Sequence, residues 1–91
     1  MRDLPPDARV YKSTPVFTEA TVPSGLLRRH TTRAGTWGRI VVLHGRLRYR
    51  ILEPALEEVV LDVDRHGVVE PEVPHEVEPL GSGSFRVDFL R

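Results

Sequence analysis

Four histidines carry most of the chemistry available to this 91-residue chain. There is no cysteine, which excludes a thiolate nucleophile, a disulfide frame and any cysteine-ligated zinc or iron–sulfur centre. A metal would have to be held by His, Asp or Glu. His30 stands two residues before Thr32 in HTTRAGTWG, His44 directly precedes Gly45, and His75 follows Pro74 in VPHEVEP. A neutral imidazole can ligate a divalent cation or move a proton near neutral pH. It can equally be hydrogen-bonded inside a small core, with Thr32 or Tyr49 as partners at hand. His66 lies in the turn-like Asp64-Arg65-His66-Gly67 and is expected to be exposed and inert. The serines also fall in turns, with no base oriented beside them, and no carboxylate pair for glycoside chemistry can be picked out by spacing.

The elements that must position these histidines read as strands. In GLLRRHTT the two-residue period puts Leu26, Arg28, His30 and Thr32 on one face and Leu27, Arg29 and Thr31 on the other. Arg28 on the His30 face must then reach the mouth of the fold, where an anion could meet it, or pair with an acid. Trp37 to His44 is β-branched and nearly continuous in its apolar character, as for a strand covered on both faces. Gly45 permits a tight turn into RLRYRI, where Leu47, Tyr49 and Ile51 alternate with Arg46, Arg48 and Arg50. Further strands are expected at Ala8 to Ser13, Val16-Phe17, Glu58 to Asp64, Val68-Val69, through His75, and at Phe85 to Phe89. Phe85, Val87 and Phe89 should face the core, with Arg86 and Asp88 turned the other way. Eight or nine short strands separated by Pro and Gly turns, with no helical period, predict an all-β barrel or jelly roll.

Length and charge narrow the function classes. The chain makes one domain, residues 1–91, with Met1 to Asp7 a loosely ordered segment; its core is small enough that a homodimer is expected. No apolar run approaches the roughly 20 residues that span a bilayer, and the N-terminus lacks a signal-peptide pattern, so the expectation is a cytoplasmic protein with no membrane partner. The first fifty residues hold ten Lys or Arg against three Asp or Glu, and the remainder three against ten. Pairing of the Arg46, Arg48 and Arg50 strand with Glu58, Asp62 and Asp64 would cancel that asymmetry internally. With few aromatics on the basic side to stack on bases, no nucleic-acid partner is expected.

Taken together, YKSTPVFTEATVPSGLLRRHTTRAGTWGRIVVLHGRLRYRI, PHEVEP and FRVDF resemble the small cupin-like domain family found at the N-terminus of tellurite-resistance TehB proteins and alone in YeaR-type proteins. The similarity runs from Tyr11 to Phe89. Its most specific parts are His30-x-Thr32 with Gly35-Thr36-Trp37-Gly38, the Gly45 turn, and Pro74-His75 with Glu78. The resemblance implies a single small cupin-like β-barrel of jelly-roll type, often dimeric, with a divalent-metal site and an association with tellurite or stress resistance. TehB also carries a methyltransferase-like domain. Nothing in this sequence matches it, and no glycine-rich strand-to-helix turn is present to cradle its cofactor.

Metal-binding cupins use two histidines one residue apart, a glutamate several residues later and a third histidine from a second motif. By that pattern His30 and His75 are retained, Thr32 replaces the second histidine, and the glutamate position falls near Trp37 or Gly38. Zinc, iron or manganese held by His30 and His75 would need Glu78 or Glu76 to complete the site, yet both acids point away from His75 if its strand is regular. His44 is the alternative third ligand, although six residues of strand, roughly 20 Å, separate it from position 38. Three readings follow: a protein that binds a divalent metal or a small, anionic ligand near His30 and His75; a metal-dependent oxygenase or isomerase; and a metal-free dimeric interaction module.

Overall fold

The computed structural model describes residues 1–91. Eight strands follow in order: β1 (Val10–Ser13), β2 (Phe17–Thr18), β3 (Trp37–His44), β4 (Leu47–Ile51), β5 (Glu57–Leu61), β6 (Gly67–Val69), β7 (His75–Pro79) and β8 (Ser84–Leu90). One 3-10 turn, Ser24–Leu27, is the only helical element, and no helix is long and apolar enough to cross a membrane. The strands make two antiparallel sheets. One has the order β1-β8-β3-β6 with the short β2 also on β8; the other has the order β5-β4-β7. No ladder joins the sheets edge to edge, so the expected closed barrel is not formed by strand pairing. The architecture is all-β, with the inner faces of both sheets contributing to one core.

The strands form where alternation is strongest. In β4, Leu47, Tyr49 and Ile51 are buried, while Arg48 and Arg50 face outward. Arg50 lies opposite Glu58 of β5 on one side and Glu76 of β7 on the other. Its Nε donates to Glu58 at 3.0 Å, and Arg48 lies 3.5 Å from Glu58 and 3.9 Å from Glu78. The arginine strand is thus matched from both neighbours, with Glu58 in the role expected of it. Asp62 and Asp64 are not part of that match, because β5 ends at Leu61 and the Asp62 carboxylate accepts from the Asp64 N–H instead.

In β3, Ile40, Val41 and Val42 are all buried, as befits a strand flanked by β8 and β6. The β3–β4 turn carries the chain from one sheet to the other. Gly45 makes it at φ +76°, where a Cβ would lie 2.5 Å from the Ser82 carbonyl oxygen, so only glycine fits. The inner residues Ile40, Val42, Phe85 and Val87 meet Leu47, Tyr49, Ile51 and Val77 in the core. Each fully buried aliphatic or aromatic side chain there contributes about 2 kcal/mol of transfer free energy.

Two expectations change. Gly25 to Thr32 is not a strand: Pro23 leads into the 3-10 turn, Arg28 is extended, and Arg29 adopts φ +29°, so the chain kinks and strand parity does not apply. Arg28 is exposed and forms no ion pair, while Arg29 pairs with Glu53. The outward side of β8 is also covered where Asp88 lies. Asp88 is 2% exposed and accepts from Ser13 Oγ at 2.7 Å, Arg86 Nε at 3.0 Å and Arg39 Nη2 at 2.9 Å. Residues 1–7 form no strand; the Met1 amino group pairs with Glu57, and Arg2 lies 3.1 Å from Glu70.

Candidate functional site

His30 and His75 meet through their backbones before their side chains. The His30 N–H donates to the His75 carbonyl at 2.8 Å, and the His75 N–H donates to the His30 carbonyl at 2.9 Å. This is the closely paired unit of an antiparallel ladder, built here from one kinked loop and one strand. Residues opposed in this way send their side chains to the same face. The rings stand edge to face with centroids 5.3 Å apart, and Tyr49 makes a similar contact with His75 at 5.9 Å.

The hydrogen bonds assign the imidazole protons. His75 Nδ1 lies 3.1 Å from the Val73 carbonyl oxygen, which can only accept, so Nδ1 carries the proton and Nε2 is left as an acceptor. His30 Nδ1 is the one buried side-chain nitrogen or oxygen in the chain without a partner. A buried N–H without an acceptor costs more than a lone pair without a donor, which favours the His30 tautomer with its proton on Nε2. Neither Nε2 has a protein partner and neither is fully buried, so one donor and one acceptor remain open to a ligand. Burial lowers the pKa of both rings. For His75 the Val73 carbonyl pushes the other way and the His30 charge adds to the lowering. Both are therefore neutral at pH 7.

The two rings line a cavity of about 240 Å³ between the sheets. Ile40, Val69, Val87 and Phe89 wall it from one sheet, Val77 from the other, and Leu26 closes it from the 3-10 turn. Gly38 forms part of this wall. Its inward position in β3 carries no side chain, and a Cβ there would lie 3.1 Å from the Cβ of Val69, its partner across the ladder. Scaling from a ~150 Å³ cavity that holds benzene, the space takes about ten non-hydrogen atoms.

The other candidate ligands lie elsewhere. Glu78 is exposed on the outer side of β7 beside Arg48, and Glu76 lies on that same side, as strand parity predicts. His44 is exposed at the far end of β3 and does not line the cavity, and His66 is exposed in a turn. No three His, Asp or Glu side chains converge on a common point. The partners expected for the histidines also differ: Tyr49 donates to the Val68 carbonyl at 2.8 Å, and Thr32 donates to the Thr36 carbonyl at 2.8 Å. Burial raises the Tyr49 pKa, with the charges of Glu70 and Glu57 adding to the effect, so its hydroxyl stays protonated. Sequence reasoning missed Gly38 and Val69 as cavity walls. A lone glycine within a β-branched strand was the available signal for Gly38.

Residues 12–87 match the TehB-like domain. The chain is 36% identical over 74 residues to TehB of Haemophilus influenzae strain Rd, described as a probable S-adenosyl-L-methionine-dependent methyltransferase; the match covers 77% of this chain and 26% of that protein. It is 28% identical over 100 residues to YeaR of Escherichia coli K12, covering 99% of this chain and 83% of the relative. The crystal structure of Haemophilus influenzae TehB superposes with a TM-score of 0.86 at 29% identity, over 93% of this chain and 32% of that one. A crystal structure of an Escherichia coli K12 protein superposes with a TM-score of 0.87 at 24% identity, over 100% of this chain and 97% of that one, and shows the shared fold. The chain spans about a quarter of the length of the TehB relative.

Proposed function

This chain belongs to the TehB-like domain family, and from that premise we propose that it is a small-molecule-binding module whose ligand occupies the cavity between the sheets. We read the two packed sheets as a small jelly roll of the cupin type. The observation that carries the reading is the pair of neutral imidazoles at an apolar cavity, His30 offering an N–H and His75 a lone pair. Pockets of this composition bind through their apolar walls and orient the ligand through a few polar groups. Here the apolar walls supply affinity, and the two Nε2 atoms select ligands bearing a complementary polar group.

A divalent metal is the second reading, favoured by two imidazole nitrogens free of protein partners. The donor set stops there. Resident zinc sites use three or four protein ligands, and no carboxylate or third imidazole joins His30 and His75. The residues present therefore do not fit a tightly held ion, and no metal-dependent oxygenase or isomerase step is derived. Methyl transfer is not carried over from TehB, whose described activity belongs to a protein of which this chain covers 26%.

The test is an amide chemical-shift titration of tag-free protein with 1-octanol, paired with metal analysis by mass spectrometry. Saturable shifts centred on Leu26, His75, Val77 and Val87 are expected. Their absence at millimolar octanol would overturn the cavity reading. About one metal per chain, lost in the His30→Ala/His75→Ala variant, would transfer the site to the metal reading.

A further inference from the structure

Beside the apolar cavity lies a second, polar cleft of about 360 Å³, and His30, Thr32 and Phe89 line both. Its other walls include Lys12, Arg33 and Arg91, together with the hydroxyl-bearing Tyr11, Thr31 and Thr36. No Asp or Glu side chain lines the cleft, and none of its three cations forms an ion pair. Elsewhere Arg2, Arg29, Arg39, Arg48, Arg50 and Arg86 have carboxylate partners, while Arg9, Arg28, Arg46 and Arg65 do not; what sets the cleft apart is that three cations line it with no acid among them. The Arg91 guanidinium is held 4.0 Å above the Tyr11 ring, and the Tyr11 hydroxyl lies 3.5 Å from Thr36 Oγ1, so one cation is fixed in place by packing.

We propose that cavity and cleft form one bipartite site for an amphipathic carboxylate, with the apolar tail between the sheets and the anionic head among Lys12, Arg33 and Arg91. This deepens the small-molecule reading and rests on it. The join falls at His30, whose Nε2–H is available to donate where the head leaves the apolar walls. A cluster of cations without Asp or Glu partners, lining the same cleft as hydroxyl groups, suits an oxyanion, which accepts charge-assisted hydrogen bonds from both kinds of donor. The neighbouring cavity has no charged side chain, so it accepts only an uncharged tail. The space for about ten non-hydrogen atoms sets the tail at medium length.

The experiment compares octanoate with 1-octanol, which share a chain length and differ in head charge. Dissociation constants come from amide shifts of wild type and of a Lys12→Ala/Arg33→Ala variant, at low salt and at 0.3 M NaCl. Both substituted residues are exposed and unpaired, so folding is not at stake. Octanoate should bind wild type on the order of ten-fold more tightly than octanol, with shifts in cleft and cavity alike. The preference should shrink with salt and shrink in the variant, which keeps only Arg91 of the three cations, while octanol binding stays unchanged. Equal affinity for the two probes, or a preference undiminished in the variant, would refute the anionic head and leave the cavity reading standing. Octanoate shifts confined to the cleft would refute the bipartite site. Binding of neither probe would overturn the cavity reading itself, and this inference with it.

Discussion

Acid should destabilise this protein through His75, and the His75→Asn variant isolates the effect. The ring is 4% exposed, and burial lowers its pKa below the 6.5 of an unconstrained histidine. The unfolded chain therefore binds a proton at His75 that the folded chain resists. Stability from the neutral ring is fully present above pH 6.5 and is lost progressively as pH falls from there toward the lowered folded value. If the folded ring stayed neutral throughout, proton uptake by the unfolded chain between pH 7.5 and 5.5 would cost about 1.4 kcal/mol, which is the ceiling for one histidine. In a domain of this size that corresponds to a fall in Tm of about 5–10 °C. Asparagine keeps an N–H near the Nδ1 position for the Val73 carbonyl but cannot take up a proton. Thermal melts across this pH range should therefore show a shallower fall for His75→Asn than for wild type, whatever the variant's starting Tm. Equal slopes would mean that His75 titrates alike in both states, and the neutral-imidazole geometry at the site would be wrong.

Three further outcomes test the packing that positions the site. Asp88→Asn should cost about 2–3 kcal/mol in urea unfolding at pH 7, because it removes the charge at which Ser13, Arg39 and Arg86 converge. Burial alone would raise the Asp88 pKa, but these hydrogen bonds outweigh it and hold it below 3.8; the stabilisation is complete above that pH and is lost as pH falls below it, a loss the variant should not show. Gly67→Ala should cost about 1–3 kcal/mol, measured the same way, because its Cβ would lie 2.7 Å from Leu61 Cδ1 and 3.1 Å from Ile40 Cδ1 in a fully packed core. Arg50→Ala should cost less than about 1 kcal/mol, since the Arg50–Glu58 pair is substantially exposed on the outer side of its sheet.

What the sequence made legible follows from how local each signal is. RLRYRI and FRVDF alternate cleanly because each lies in one face-to-face layer, and both became strands with the expected inward residues. The strand expected at Gly25 to Thr32 failed because its parity pattern competed with Pro23 and with the kink at Arg29, and the backbone chose a 3-10 turn. His30 still reached its partner, because its place is set by a non-local pair of hydrogen bonds to His75 rather than by its own element. The sequence offers no periodic trace of such a bridge. Leu26 was placed on the His30 face and does line the cavity with it, but a 3-10 turn rather than a strand presents it.

The charge asymmetry of the chain now has a spatial meaning. Excess Arg in the first half meets acids of the second half across β4, β5 and β7, and that exchange neutralises the outer face of one sheet. On the other sheet Asp88 pairs with Arg39 of the first half and with Arg86 of its own strand. Seven of the 13 cations form no ion pair, and the fold gathers three of them, Lys12, Arg33 and Arg91, around one cleft although they come from both ends and the middle of the chain. An oxyanion in the cleft would be attracted by all three cations. The cations that line the cleft beside His30 are thus available to a ligand.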